Sequence, residues 1–271
     1  MADQDPELQT VERIYDALEG GDPETALGLA REALGENPDD PVVRFLAGLA
    51  CLDLDRADEA ILELQSAVKL DPDDAEFRSQ LGYALFRGCR FDEAREETSR
   101  ALELDDTGPD AHHTAGLLAE RLGEYAEADE CFARAHGIDA ESFPLPLRLD
   151  DAAFRKTLDE AREFLNETFR KHLDDATVTV DDLPAEAVLH ESTPPMDPEL
   201  LGLFMGVPRS EATSFSPGGE MPPQILLFKR NLERIFPDAG TLREEIGRTL
   251  HHELGHYLGL DEDELEAIDL H

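Results

Sequence analysis

Thr241-Leu-Arg-Glu-Glu-Ile-Gly-Arg-Thr-Leu-His-His-Glu-Leu-Gly-His-Tyr-Leu-Gly-Leu-Asp261 is the stretch from which the chain is best read. Ile246, Leu250, Leu254 and Leu258 recur every four residues, the stripe by which a helix buries one side. Thr241 followed by Glu244 reads as a capping box, so the helix is expected to begin there, and Gly259 supplies the stop. Glu245, Thr249, His252, Glu253 and His256 recur at helical spacing on another side. Residues four apart share a helix face, so the imidazoles of His252 and His256 can converge on one metal ion.

His252-Glu253-x-x-His256 is the spacing with which zinc hydrolases hold their metal, with the glutamate placed to take a proton from water. Glu253 is therefore the expected catalytic base and Zn2+ the expected cofactor. A catalytic zinc takes three protein ligands and keeps a position open, so two histidines leave the set unfinished. Counting from His252, Gly259 stands at +7 and Glu262 at +10, the spacing at which a glycine turn returns a third ligand. Glu262 is the expected third ligand, with Asp261 as the alternative. His251 lies about 100° around the helix from His252 and is assigned to packing or to supporting the metal ligands from behind. Tyr257 points away from the ligand face, and His190-Glu191 runs into Pro194-Pro195, which breaks a helix.

Upstream, the chain repeats itself. Gly48, Gly82 and Gly116 are 34 residues apart, as are Ala26, Ala60, Ala94 and Ala128, and again Ala33, Ala67, Ala101 and Ala135. This pattern resembles the tetratricopeptide repeat, a helix–turn–helix unit of that length with small residues where its helices cross. Four units fit, starting near Glu7, Pro41, Ala75 and Pro109, and the first has Ile14 in place of the glycine. The resemblance implies a stacked helical solenoid over 1–142 with a groove that takes a protein or peptide. By that analogy Phe45, Leu49, Tyr83, Phe86, His113 and Leu117 line the groove, beside acids such as Glu76 and Asp110. The groove lacks a lysine-rich clamp for C-terminal carboxylates, so a partner segment with basic and apolar residues is expected.

Ser142-Phe-Pro-Leu-Pro-Leu-Arg148 interrupts the helical pattern, which sets a linker at 143–150 and a second domain at 151–271. There the pattern predicts a long amphipathic helix from Asp151 through Phe169, a strand at Ala176–Val180, a loop-rich run to Pro223, a strand at Gln224–Phe228 and a helix at Lys229–Phe236. Val178-Thr-Val-Asp-Asp-Leu-Pro184, Leu200-Leu-Gly-Leu-Phe-Met-Gly-Val-Pro208, Pro223-Gln-Ile-Leu-Leu-Phe228 and the histidine motif resemble the small bacterial minimal zincin metallopeptidases. The expected architecture is thus an α-helical tetratricopeptide solenoid followed by a small α+β zincin-like domain. The resemblance implies peptide hydrolysis, an acidic ligand at Glu262, and a substrate laid along a strand edge at Gln224, Ile225, Leu226 and Leu227. Pro195–Pro222 reads equally as specificity loops or as a linker.

Composition sets the outer limits. Sixty-three acids oppose 24 bases, a net charge of −39, and only four of the bases are lysines. Such a chain repels nucleic acid and anionic membranes, and it suits a salt-rich interior. Its start, Met-Ala-Asp-Gln-Asp, has no apolar run, so a cytoplasmic location is expected. Cys51, Cys89 and Cys131 read as small buried apolar residues. Two functions follow: a zinc metallopeptidase whose repeats recruit a protein, or a repeat-based adaptor whose second domain binds metal without appreciable turnover.

Overall fold

The computed structural model describes residues 6–163, 165, 167–173, 175–209, 222–236, 238–261 and 264–265. It divides into two compact units, Met1–Phe143 with His190–Asp197, and Pro144–Leu189 with Pro198–His271. No helix of the described residues is long and apolar enough to cross a membrane.

The first unit is a run of helix pairs: α1 (Pro6–Glu19) with α2 (Pro23–Glu36), α3 (Pro41–Asp53) with α4 (Ala57–Leu70), α5 (Ala75–Arg87) with α6 (Phe91–Leu104), and α7 (Pro109–Leu122) with α8 (Tyr125–Ile138). Local chemistry starts several of them. Asp40 accepts hydrogen bonds from the Val42 and Val43 N–H groups at 3.0 and 3.1 Å while Pro41 fills the first turn, and Asp22 and Asp74 cap α2 and α5 the same way. The repeated glycines sit where each pair crosses. A Cβ on Gly48 would stand 2.5 Å from Leu64 Cγ, and one on Gly116 2.6 Å from Phe132 Cε1, so no side chain fits at either position. Ala26, Ala60, Ala94 and Ala128 are all fully buried. A second periodic device was not read from the sequence. Arg44 pairs with Glu63 and bonds the Pro38 carbonyl, and Arg78 does the same with Glu97 and Pro72 one period later.

Residues 190–197 belong to this unit, although the sequence suggested the second domain. Asp197 accepts from Arg87 Nη2 at 2.9 Å, and the Cys89 thiol donates to the Met196 carbonyl. Cys51, Cys89 and Cys131 are not in disulfides, and burial pushes the Cys51 thiol up to about 11. Three expected groove residues are core instead: Phe45, Phe86 and Leu117 are 1–2% exposed. Phe45 stacks on Phe77 at 4.8 Å, and Phe86 packs against Tyr83 and Phe91. The apolar positions facing the neighbouring repeat are consumed by stacking, which leaves Leu49, Tyr83 and His113 half-buried.

The second unit holds α9 (Asp151–Arg162), α10 (Glu167–Leu173), β1 (Thr177–Asp181), α11 (Glu186–Leu189), β2 (Gly202–Met205), β3 (Gln224–Phe228), α12 (Lys229–Ile235) and α13 (Ala239–Leu258). The expected long helix is thus two. Arg170 donates to the Glu163 and Leu165 carbonyls at 2.5 and 3.0 Å, satisfying backbone acceptors at the break. The sheet order is β1-β3-β2, with β1 parallel and β2 antiparallel to the central β3. Phe154, Leu158, Ala161, Ile225, Leu227, Leu232 and the α13 stripe Leu242, Ile246, Leu250 and Leu254 form one core beneath it.

Short α12 pins two flanking segments through buried polar groups. Glu233, 1% exposed, accepts from the Leu147 N–H with its carbonyl and from the Leu149 N–H with its carboxylate, so the segment expected as linker is bonded into this unit. Burial pushes the Glu233 carboxyl up. Asn231 Nδ2 donates to the Pro198 and Leu200 carbonyls, fixing the approach to β2.

Candidate metal centre

Helix α13 begins earlier than Thr241. Asp238 is its cap, with Oδ1 accepting from the Gly240 and Thr241 N–H groups at 2.8 and 3.1 Å and Oδ2 bonded to the Thr241 hydroxyl. These hydrogen bonds, first those of Thr241, hold the Asp238 carboxyl below the usual carboxylate range. A carboxylate at the N-cap outcompetes the threonine, whose hydroxyl bonds back to Asp238 instead.

One face of α13 carries both histidines. His252 and His256 Nε2 stand 3.1 Å apart, with ring planes at 89°. Glu253, 7% exposed, accepts at Oε2 from the Phe204 N–H of β2 at 2.6 Å. Strand β2 can lie this close because residue 202 is glycine: a Cβ there would stand 2.5 Å from Thr249 Cγ2. On the other flanks, His251 packs at a tilt against Phe169 with ring centroids 3.9 Å apart, and Tyr257 is buried near Phe204 and His172. Both are packing residues.

After α13 the chain turns back. Gly259 adopts φ +88°, its N–H bonds the His256 carbonyl, and the Leu260 N–H bonds the Gly255 carbonyl. The Glu264 N–H then bonds Asp261 Oδ1 at 2.9 Å, and the Asp261 N–H bonds Glu264 Oε2 at 3.1 Å. This reciprocal cap occupies Asp261 locally. Glu262, the expected third ligand, lies outside the described residues, as does His271. Among the described residues no three metal-binding side chains cluster.

Residues 173–271 match the zincin-like metallopeptidase family, and residues 17–79, 52–120 and 109–142 match tetratricopeptide repeats. The chain is a tetratricopeptide–zincin fusion. Similar solved structures include one described as "Crystal structure of MamA", 26% identical over 46% of this chain and 73% of that one at TM-score 0.41. Another is "MamA RS-1 ArsTM double mutant", 20% identical over 53% of this chain and 80% of that one at TM-score 0.44. No curated protein matches the chain.

The zincin family implies zinc, and the residues of the zincin half fit it. Two nitrogens bound at the usual distance to one tetrahedral zinc stand about 3.3 Å apart. The 3.1 Å between the His252 and His256 nitrogens is close to that spacing, and it is also the length of a hydrogen bond between the two rings. The expected substrate strand of the zincin half needs correcting. Gln224, Ile225, Leu226 and Leu227 lie in β3, whose two edges are taken by β1 and β2, and Ile225 and Leu227 are fully buried. Among the described residues the strand beside Glu253 with an outer edge is β2, which sequence reading missed. Gly-Leu-Phe-Met is four residues without alternation, half-buried throughout, so neither periodicity nor length marked it. Gly202 and the aromatic Phe204 were the only local signals.

Proposed function

We propose that the chain is a cytosolic zinc metallopeptidase whose tetratricopeptide repeats recruit or present a protein substrate. The observation that carries this reading is the pair of imidazole nitrogens 3.1 Å apart on the face of α13 next to Glu253. His252, His256 and Glu262 would hold the zinc, which when bound would supply Lewis-acid polarisation of a scissile carbonyl and a more acidic water. Phe204 N–H fixes the Glu253 carboxylate through Oε2. Its other oxygen takes the proton of the attacking water and returns it to the leaving amine. An extended peptide adds to the outer edge of β2, with Gly202 keeping backbone rather than side chain over the helix.

In the repeat groove, Leu49 and Tyr83 offer apolar surface beside Glu76 and Asp110. Burial pushes both carboxyls up, with Asp74 and Asp110 adding to the effect at Glu76. A basic, partly apolar segment would relieve that repulsion.

The hydrogen bond holding Glu253 favours a second reading, a metal-binding adaptor whose base is occupied. Zinc content and turnover on a mixed peptide library separate the two. Wild type should bind one zinc and cleave, and Glu253→Gln should keep zinc and lose cleavage by at least about a hundredfold. Equal cleavage by both variants removes Glu253 from the mechanism, and zinc without wild-type cleavage leaves the adaptor.

A further inference from the structure

Resting on the metallopeptidase reading, we propose that Asn231 of α12 is a positioning residue for Glu253: it sets the register of β2 and so decides which backbone N–H meets the base. Strand pairing shows why register matters. The Phe228 N–H bonds the Leu201 carbonyl at 2.9 Å, and β2 pairs antiparallel with β3. Backbone groups alternate along such a strand, so Leu201 and Leu203 face β3 while Gly202 and Phe204 turn their N–H and C=O groups outward. The outward Phe204 N–H is the one that Glu253 Oε2 accepts at 2.6 Å. A slip of one residue would turn that N–H toward β3. It would also bring a leucine over Thr249, where even a Cβ at position 202 would stand 2.5 Å from Cγ2.

Strand β2 cannot hold this register alone. It has four residues, half-buried throughout, with leucines on both sides of its glycine, so the apolar pattern selects no single pairing. Gly202 forbids the wrong registers but supplies no bond that keeps the right one. That bond comes from α12, which begins at the residue after β3 ends. Asn231, 1% exposed, donates from Nδ2 to the Pro198 carbonyl at 3.0 Å and to the Leu200 carbonyl at 2.8 Å. Its Oδ1 accepts from Arg234 Nη2 at 2.8 Å. An arginine can only donate, so the oxygen must face it and both Nδ2 hydrogens are left for the carbonyls. Arg234 also donates to Glu199 Oε1 at 3.2 Å, so one turn of α12 holds three consecutive residues at the entry to β2. Asn231 lies three residues after Phe228, the partner of Leu201, and the clamp is therefore measured from the same strand that β2 pairs with.

The test uses the full chain as wild type, Asn231→Asp, Glu253→Ala and the double variant Asn231→Asp/Glu253→Ala. Aspartate has the size of asparagine but lacks both Nδ2 donors, so packing is kept while the clamp is lost. Amide hydrogen exchange, read residue by residue by nuclear magnetic resonance, follows the Phe204 N–H. The control is the Thr177 N–H, which bonds the Pro223 carbonyl on the β1 side of β3. Glu253→Ala should speed exchange at Phe204, because it removes the acceptor. Asn231→Asp should speed it at least about tenfold and leave Thr177 within about twofold of wild type, since the opening is local. Peptide kcat/KM should fall at least about tenfold at unchanged zinc content. In the Glu253→Ala background the asparagine change should cost less than about twofold, since the base it positions is gone. A Phe204 amide that stays protected, or one that loses protection in step with Thr177, overturns the clamp. Full peptide turnover beside an unprotected Phe204 amide overturns its role in catalysis. A wild type that cleaves no peptide overturns the peptidase reading and that role with it, while the exchange pair still decides the register. Should Asn231→Asp fail to fold, Asn231→Ser, which leaves one donor, makes the same measurement and the same outcomes decide.

Discussion

The two units reach order by opposite routes. In the repeats, each glycine meets a residue 16 positions on, Gly48 with Leu64, Gly82 with Thr98 and Gly116 with Phe132, so the contact recurs at a fixed spacing although the partner changes. In the zincin half, β1 and β2 lie on either side of a β3 that follows both in sequence, and Phe204 meets Glu253 across 49 positions. Local, repeated contacts leave a period in the sequence; single long-range contacts leave none. The proposed metal site falls in the half with the least periodicity, because such a site needs unlike groups brought together once.

That contrast can be broken experimentally. The largest effect is expected at Gly202. Gly202→Val drives a branched side chain into Thr249 and displaces β2 from Glu253, so turnover on peptides should fall about a hundredfold, the cost of misplacing a reacting group by roughly an ångström. A variant with normal kcat/KM would show that β2 does not set the position of Glu253. Next come the repeat glycines. Gly48→Val, Gly82→Val and Gly116→Val should each cost about 1–3 kcal/mol in denaturant unfolding, with peptide turnover by the folded protein unchanged. Three similar values mean the crossings are equivalent, and one value near zero would show a crossing that relaxes.

Smaller still are Arg44→Ala and Arg78→Ala, which remove the same ion pair and carbonyl bonds in successive repeats. About 1 kcal/mol each is expected, and costs differing severalfold would show that the period does not extend to energetics. The smallest is Asp238→Ala. Its folded-state carboxyl is held below the usual value, so its contribution is present above the unfolded pKa of 3.8 and is lost as pH falls through the folded one. Thermal melting at neutral pH should drop slightly in the variant, and the gap from wild type should close in acid. A gap that persists there would assign the effect to something other than the carboxylate.

Several features were legible before any coordinates. Helix pairs starting near 7, 41, 75 and 109, β3 at Gln224–Phe228, and the glycine stop at Gly259 stand where the residues predict them. The glycine and alanine positions read correctly because a helix crossing has one physical demand, small size. The groove read poorly because Phe45, Phe86 and Leu117 satisfy a demand for apolar surface that stacking and partner binding share. The cap at Asp238 was overlooked because Thr241-x-x-Glu244 satisfies the same local rule, and only backbone geometry says which residue begins the helix.

From the order of its residues alone, this chain specifies a helical array of period 34 and a helix face with two imidazoles one turn apart, because both depend on contacts within a few turns of chain. Which strand is central and which strand meets Glu253 were decided only by the folded chain. Those are pairings between distant segments, and many segments of similar apolarity compete for each one until packing selects among them.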